Sequence, residues 1–249
     1  MYLKFYALPM MNATATSTTS PKTPLAGGYE RLRPLISLMT GDEKHSASAT
    51  STLDVLWVLY DRILRIDPAA PDDDARDRFL LSKGHGPMAF YAVLAEKGFI
   101  AEDALRSWLR YDSILGLHPD RTLVPGCEIS SGSLGHGLPL AIGRALALRA
   151  RRNPARVFCL IGDAELDEGS NAEAMVVAAS MALDALTVIV IDNQSSSHGW
   201  RGGIAARFAL DGWSAATVDG RDHDALEAAL TAPHPGQPRA VVAVVEAKS

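Results

Sequence analysis

Cysteine is scarce: the 249 residues contain only Cys127 and Cys159. They stand far apart, and Cys159 lies inside an apolar run. A disulfide framework is therefore excluded, and two reduced thiols in a cytoplasmic chain are expected. A basic block is missing as well. Lys and Arg number 24 against 29 Asp and Glu, for a formal net charge of -5, so the electrostatic footprint of a nucleic-acid binder is absent. No apolar stretch of signal-peptide length opens the chain. Residues 1–28 are rich in Ser, Thr, Ala and Pro, carry only Lys4 and Lys22 as charges, and show no periodicity. This predicts a flexible extension, with Met10 or Met11 as alternative starts. One window, 172–191, reaches the length of a membrane span. It carries Glu173 and Asp184 and changes midway from Ala/Met-rich to β-branched, which predicts a helix followed by a buried strand and no membrane contact. Finally, no G-x-G-x-x-G follows an early strand, which argues against a plain dinucleotide-binding domain.

What is present is apolar material, 47% of the residues, enough for a single core over 29–249. Periodicity predicts helices over 29–38 (despite Pro34), 51–66, 88–97, 102–109 and 134–150. The second places Leu53, Leu56, Trp57, Tyr60 and Leu64 on one stripe. Residues 157–161 read as a buried strand, 170–183 as a helix and 186–191 as the next strand. Ser170 and Glu173 have the spacing of a capping box at that helix start. Strand, helix and strand at this distance make a right-handed βαβ unit, and 213–218, 222–230 and 240–245 repeat the rhythm. The expected fold class is α/β, a doubly wound, mostly parallel sheet with helices on both faces.

Two strand ends hold the candidate chemistry. The first runs into Gly162-Asp163-Ala164-Glu165 and the second into Asp192-Asn193-Gln194. Ligands bind at the carboxyl ends of strands in such sheets. A carboxylate, an amide oxygen and a loop carbonyl would supply half the octahedral oxygen shell that Mg2+ prefers, leaving room for phosphate oxygens. Asp and Asn are equally common as plain turn residues after strands, and the spacing alone leaves both readings open.

The pattern G-D-x-E, a helix, then D-N, with Asn193 thirty positions after Asp163, resembles the thiamine-diphosphate fingerprint of transketolases. The similarity extends along the chain. The segment from Phe79 to Gly86, F-L-L-S-K-G-H-G, is similar to the family's F-x-L-S-K/N-G-H-G. Leu117-His118-Pro119 is similar to its G-H-P, and Ser131-Gly132-Ser133-Leu134-Gly135-His136-Gly137 to its T-G-x-L-G-Q-G. Val218-Asp219-Gly220-Arg221-Asp222 matches V-D-G-H-D, and His45 with Asp54 matches a histidine and a helix-start aspartate of the family. The resemblance implies that Asp163, Asn193 and the carbonyl of Ser195 ligate Mg2+. It implies that Gly162 and Ala164 lie against the diphosphate of thiamine diphosphate, and the backbone of Gly132 and Leu134 against its aminopyrimidine. His85 and His118 would hydrogen-bond the donor sugar and the reaction centre, with His45 beside them. An imidazole that titrates near neutrality suits such proton shuffling.

There are departures from the family pattern. Ala164 replaces the third residue of G-D-G, Gln194 replaces the glycine of D-N-G, and Ser195 to Ser197 stand where apolar residues are usual. His136 replaces glutamine, and His198 takes the place of a frequent aspartate. The cofactor frame is kept while substrate-facing loops differ. The family's pyrimidine-binding domain has no counterpart in these residues. The resemblance thus implies the N-terminal subunit of a split transketolase, moving a two-carbon ketol unit from a ketose to an aldose. A separate pyrimidine-domain subunit would complete it, in an α2β2 assembly that buries the helices around Leu53–Leu64 and Leu134–Leu148. Two alternatives stay open: another thiamine-diphosphate enzyme (a ketol or acyl transferase, or one like deoxyxylulose-phosphate synthase), and a non-catalytic scaffolding homologue.

Overall fold

The structure, a computed structural model, describes residues 27–41 and 47–247. The extension expected over 1–28 lies almost wholly outside these residues, and so does His45. Five strands form one parallel sheet: β1 Arg78–Leu81, β2 Val157–Gly162, β3 Leu186–Asp192, β4 Ser214–Asp219 and β5 Arg239–Val244, in the order β1-β2-β3-β5-β4. β3 is apolar because both of its faces are covered, as parallel sheets require. Gly162 pairs with Ile191 and Asp192 with Val244, so the loops after β2, β3 and β5 open on one edge.

The helices are α1 Tyr29–Ser37, α2 Ala47–Thr50, α3 Leu53–Val58, α4 Met88–Glu96, α5 Gly137–Ala150, α6 Gly169–Ser180, α7 Ile204–Leu210 and α8 His223–Thr231. Their placement follows from strand order. From β1 to β4 the chain steps across the sheet in one direction, and right-handed crossovers then put α5, α6 and α7 on the same face. The step from β4 back to β5 reverses direction, so α8 falls on the opposite face with α1, α3 and α4. Helices thus cover both faces, as the sequence predicts.

Several elements differ in detail. Pro34 sits inside α1 without ending it. Pro34 is exposed, so the carbonyl it fails to bond faces water, while Leu32, Leu35 and Ile36 hold the other face in the core. The stripe expected on 51–66 is a helix buried on every side, with Val55, Val58 and Leu59 as enclosed as Leu53 and Leu56. It also loosens into a wide turn, Leu59–Ile63, closed by Leu64 N–H to the Leu59 carbonyl at 2.8 Å. The segment expected as a helix over 102–109 is a 3-10 turn, Glu102–Ser107. The capping box of Ser170 with Glu173 does not form. α6 already begins at Gly169 with Glu168 as its cap residue, so Ser170 lies inside the helix, where its hydroxyl donates to the Gly135 carbonyl at 2.8 Å. α7 had no periodic signal strong enough to announce it. Both cysteines are free thiols. Burial pushes Cys127 up to about 12 and Cys159 well above its ordinary value, so neither is a poised thiolate. Among the described residues no helix is long and apolar enough to cross a membrane.

Candidate cofactor site

The carboxyl edge of β1, β2 and β3 carries a cleft of about 210 Å³. Of the residues singled out from sequence, His85, His118, Gly132, Leu134, Gly162, Ala164, Asn193 and Ser195 line it. Asp163 lies just behind, bonded to Ser195. The loops are built to converge. His85 follows β1 through Gly84 and Gly86, and Gly86 has φ 71° with the Ser48 carbonyl 2.5 Å from where a Cβ would sit. Any other residue at Gly86 would push the histidine loop away. His118 is placed by the Gly116 carbonyl, which accepts from the Tyr91 hydroxyl at 3.0 Å and the Trp108 indole N–H at 3.2 Å. Tyr91 and Trp108 are fully buried anchors. Ser131 N–H donates to the Pro119 carbonyl at 3.1 Å and so ties the His118 loop to the Gly132 loop. The rings of His85 and His118 have centroids 6.4 Å apart and are tilted by 50° to one another.

The oxygen-bearing end of the cleft is equally ordered. Asp163 is buried and accepts four hydrogen bonds. Oδ1 takes Ala164 N–H at 2.9 Å and the Ser195 hydroxyl at 2.5 Å. Oδ2 takes Ser195 N–H at 2.6 Å and Ser196 N–H at 3.2 Å. Asn193 is also buried, and its Oδ1 has no hydrogen-bond partner. A buried orphan acceptor costs on the order of 1–3 kcal/mol unless something satisfies it. An unsatisfied amide oxygen next to a carboxylate and a loop carbonyl is the donor set a hard cation takes. The residues present fit Mg2+ with a diphosphate. Among the described residues no cluster of three His, Cys, Asp or Glu side chains gathers elsewhere to compete as a metal site.

The departures from the family pattern have local explanations. Ala164 is the second residue of the 3-10 turn Asp163–Asp167 and is not among the residues with positive φ. A glycine is therefore not required there. Gln194 does occupy the left-handed region, φ 58°, so the residue that replaces glycine keeps a glycine-like backbone at a cost in strain.

Two carboxylates that received no role from the sequence belong to the same loops. Glu165 is 1% exposed and lines the cleft. Burial pushes its carboxyl above the usual range, against the pull of hydrogen bonds from Ser82, Gly162 and Gly135 and of the Lys83 charge. Asp167 accepts from the Ser196 hydroxyl at 2.7 Å and Ser197 N–H at 2.7 Å. Partial burial works against its charge, but these bonds and one from His198 N–H outweigh it and hold the carboxyl below its ordinary value. Their signal was the alternation Asp163, Glu165, Asp167, which in a 3-10 turn sends successive acids to different loops.

A doubly wound parallel sheet with a glycine-walled, oxygen-lined cleft at its carboxyl edge defines a phosphate-cofactor-binding α/β domain. Residues 37–246 match the family described as transketolase, thiamine diphosphate binding domain, and the chain belongs to that family. It is 56% identical over 227 residues to the Rhodococcoides fascians protein named ferredoxin fas2, covering 91% of this chain and 75% of that one. It is 40% identical over 167 residues to an apulose-4-phosphate transketolase subunit of Actinobacillus succinogenes, covering 67% of this chain and 60% of that subunit. Among solved structures, transketolase from Leishmania mexicana superposes with a TM-score of 0.73 at 25% identity, over 88% of this chain and 36% of that one. The chain therefore spans about a third of the solved transketolase's length. A plant-type or bacterial ferredoxin cluster is held by four cysteines, whereas this sequence contains two.

Proposed function

We propose that the chain is the diphosphate-binding, N-terminal subunit of a split transketolase. It would transfer a two-carbon ketol unit from a ketose donor to an aldose acceptor, together with a separate pyrimidine-domain subunit in an α2β2 assembly. The observation that carries this reading is the buried, unpartnered Asn193 Oδ1 in a cleft whose Ser195 is hydrogen-bonded to Asp163. Asp163, Asn193 and the Ser195 carbonyl would hold Mg2+. Gly162 and Ala164 would lie along the diphosphate, and the backbone of Gly132 and Leu134 would face the aminopyrimidine. Bound there, thiamine diphosphate supplies an electron sink for breaking and making a carbon–carbon bond.

The protein's own part is placement and proton handling. His85 and His118 project from two loops onto one face of the cleft, where either ring can accept or donate a proton to a sugar hydroxyl. His45, expected beside them, lies outside the described residues. Asp163 accepts four hydrogen bonds, two of them from Ser195, and these hold its carboxylate against the loop whose carbonyl would join it on the metal.

Support for a partner comes from the Actinobacillus succinogenes relative, which is named as one subunit of its transketolase, and from the surface. Of the two helical segments expected at an interface, Leu53–Leu64 cannot serve, because its core helix is buried within this chain. The other has exposed Leu134 and Leu140, and α6 packed on it exposes Val176 and Val177. The test is a ketol-transfer assay with thiamine diphosphate and Mg2+, on the chain alone and mixed with the pyrimidine-domain protein encoded beside it. Activity is expected only in the mixture, and robust turnover by the chain alone would overturn the split-enzyme reading. Calorimetry on the mixture should show cofactor affinity collapsing in Asp163→Ala.

A further inference from the structure

Three loops meet in the cleft, from three distant parts of the chain: Ser82 to Gly86, Ser131 to Gly135, and Gly162 with Asp163. No backbone hydrogen bond of a sheet or helix holds the second loop to the third. One side chain does. Glu165 Oε1 accepts the Ser82 hydroxyl at 2.6 Å and Gly135 N–H at 3.1 Å, and Oε2 accepts Gly162 N–H at 2.9 Å. Ser82 extends the link, since its Oγ also accepts Gly137 N–H at 3.1 Å from the start of α5. The strut is itself anchored, because the Glu165 carbonyl accepts from Asn171 Nδ2 at 2.5 Å, and Asn171 is completely buried in α6. These are the segments that, on the proposed function, cradle the diphosphate and the aminopyrimidine.

From this geometry we infer that Glu165 is a positioning residue, a carboxylate strut that sets the spacing of the three cofactor loops without itself holding metal or substrate. The inference rests on the cofactor reading above. Its chemistry is specific to a carboxylate. All three partners of Glu165 point hydrogens at it, and two of them are backbone N–H groups that cannot turn away. A glutamine has the same shape but only one acceptor atom. Whichever way its amide is set, its NH2 faces either Gly162 N–H, or Gly135 N–H while Ser82 reverses to accept. Glutamine therefore keeps part of the strut, and alanine keeps none. Aspartate is one methylene too short to span the three loops.

The experiment titrates the full chain, assembled with its pyrimidine-domain partner, with thiamine diphosphate in the presence of Mg2+. Wild type is compared with Glu165→Gln, Glu165→Ala and Ser82→Ala. Each orphaned buried N–H costs about the equivalent of a tenfold change in affinity. The dissociation constant is therefore expected to rise about tenfold in Glu165→Gln and about a hundredfold in Glu165→Ala, with kcat at saturating cofactor changed far less. Hydrogen exchange provides the readout that does not need the cofactor. In Glu165→Ala the amides of both Gly135 and Gly162 should lose protection, and in Glu165→Gln one of the two, while those of β3 keep theirs. A merely structural role predicts the opposite: loss of protection throughout the sheet, with unchanged affinity in the folded fraction. Should Glu165→Ala fail to fold, Glu165→Gln and Ser82→Ala decide the matter, the latter by a smaller rise in the dissociation constant. Equal affinity in wild type and Glu165→Gln, or unchanged protection at Gly135 and Gly162, overturns the strut alone. Absence of binding by wild type overturns the cofactor reading and the strut with it.

Discussion

At the scale of single residues, the proposed function divides the cleft into groups that would hold the cofactor and groups that would react. His85 and His118 stand on the loop after β1 and on the loop held by the Gly116 carbonyl, whereas Asp163 and Asn193 follow β2 and β3. His85→Ala and His118→Ala are therefore expected to lower kcat at least tenfold while cofactor affinity changes little. Parallel turnover and calorimetric measurements check this, and equal loss of both would move that histidine into the cofactor's own binding set. Gln194 makes a second case. It holds φ 58° where only glycine is free of strain, and a left-handed residue costs on the order of 1 kcal/mol. Gln194→Gly is expected to raise stability by less than that, since glycine also enlarges the unfolded ensemble. Urea denaturation measures it, and a clear loss of stability would mean that the glutamine side chain carries a contact worth more than its strain. The convergence of Asn193 and Ser195 on the cleft, with Asp163 bonded to Ser195, was legible in the sequence from the two strand ends. The contacts of Glu165 were not legible, because its partners Ser82 and Gly135 lie far from it in sequence.

At the scale of elements, the helices divide into those enclosed by the chain and those with an open apolar face. α3 is enclosed, so its Leu53, Val55 and Leu56 carry core packing, and truncating one to alanine would cost about 2–5 kcal/mol. α5 and α6 are the open pair, with Leu140, Val176 and Val177 exposed. Val177→Lys and Leu140→Lys are expected to leave the melting temperature of the isolated chain almost unchanged and to weaken assembly with the partner at least tenfold. Analytical ultracentrifugation separates the two effects. Undisturbed assembly in both variants would place the interface elsewhere. The sequence pattern could not tell α3 from α5. A stripe at helical spacing shows which residues are apolar, and only packing shows whether the rest of the helix meets water or another layer.

For the whole molecule, the amino edge of the sheet is clasped by one charge. Asp77 is completely buried and accepts from Arg65, at 2.8 Å, and from Arg156, at 2.6 Å. Burial works against its charge, but these bonds and the backbone N–H groups of both arginines outweigh it and hold the carboxyl below its ordinary value. A carboxyl with a depressed folded pKa contributes stability that is fully present above its unfolded value, about 4. That stability is lost as pH falls from there through the lower folded value. Asp77→Asn is therefore expected to cost on the order of 2 kcal/mol at neutral pH and to flatten the decline in stability below about pH 4. Denaturation at a series of pH values tests this, and a decline of the same slope in the variant would assign the acid sensitivity to another group.

Motif order and periodicity are properties of neighbouring residues, and they were enough to specify the βαβ rhythm, the loops at the strand ends and the cofactor class. Strand order, the single reversed step that moves α8 to the far face, the failed cap at Ser170 and the enclosure of α3 depend on residues far apart in sequence. So does the strut at Glu165, which bridges Ser82, Gly135 and Gly162. None of these has a local signal. A hydrogen bond between distant loops stabilises only after the chain entropy of bringing them together has been overcome by the burial of the core. That balance is settled by the folded molecule as a whole.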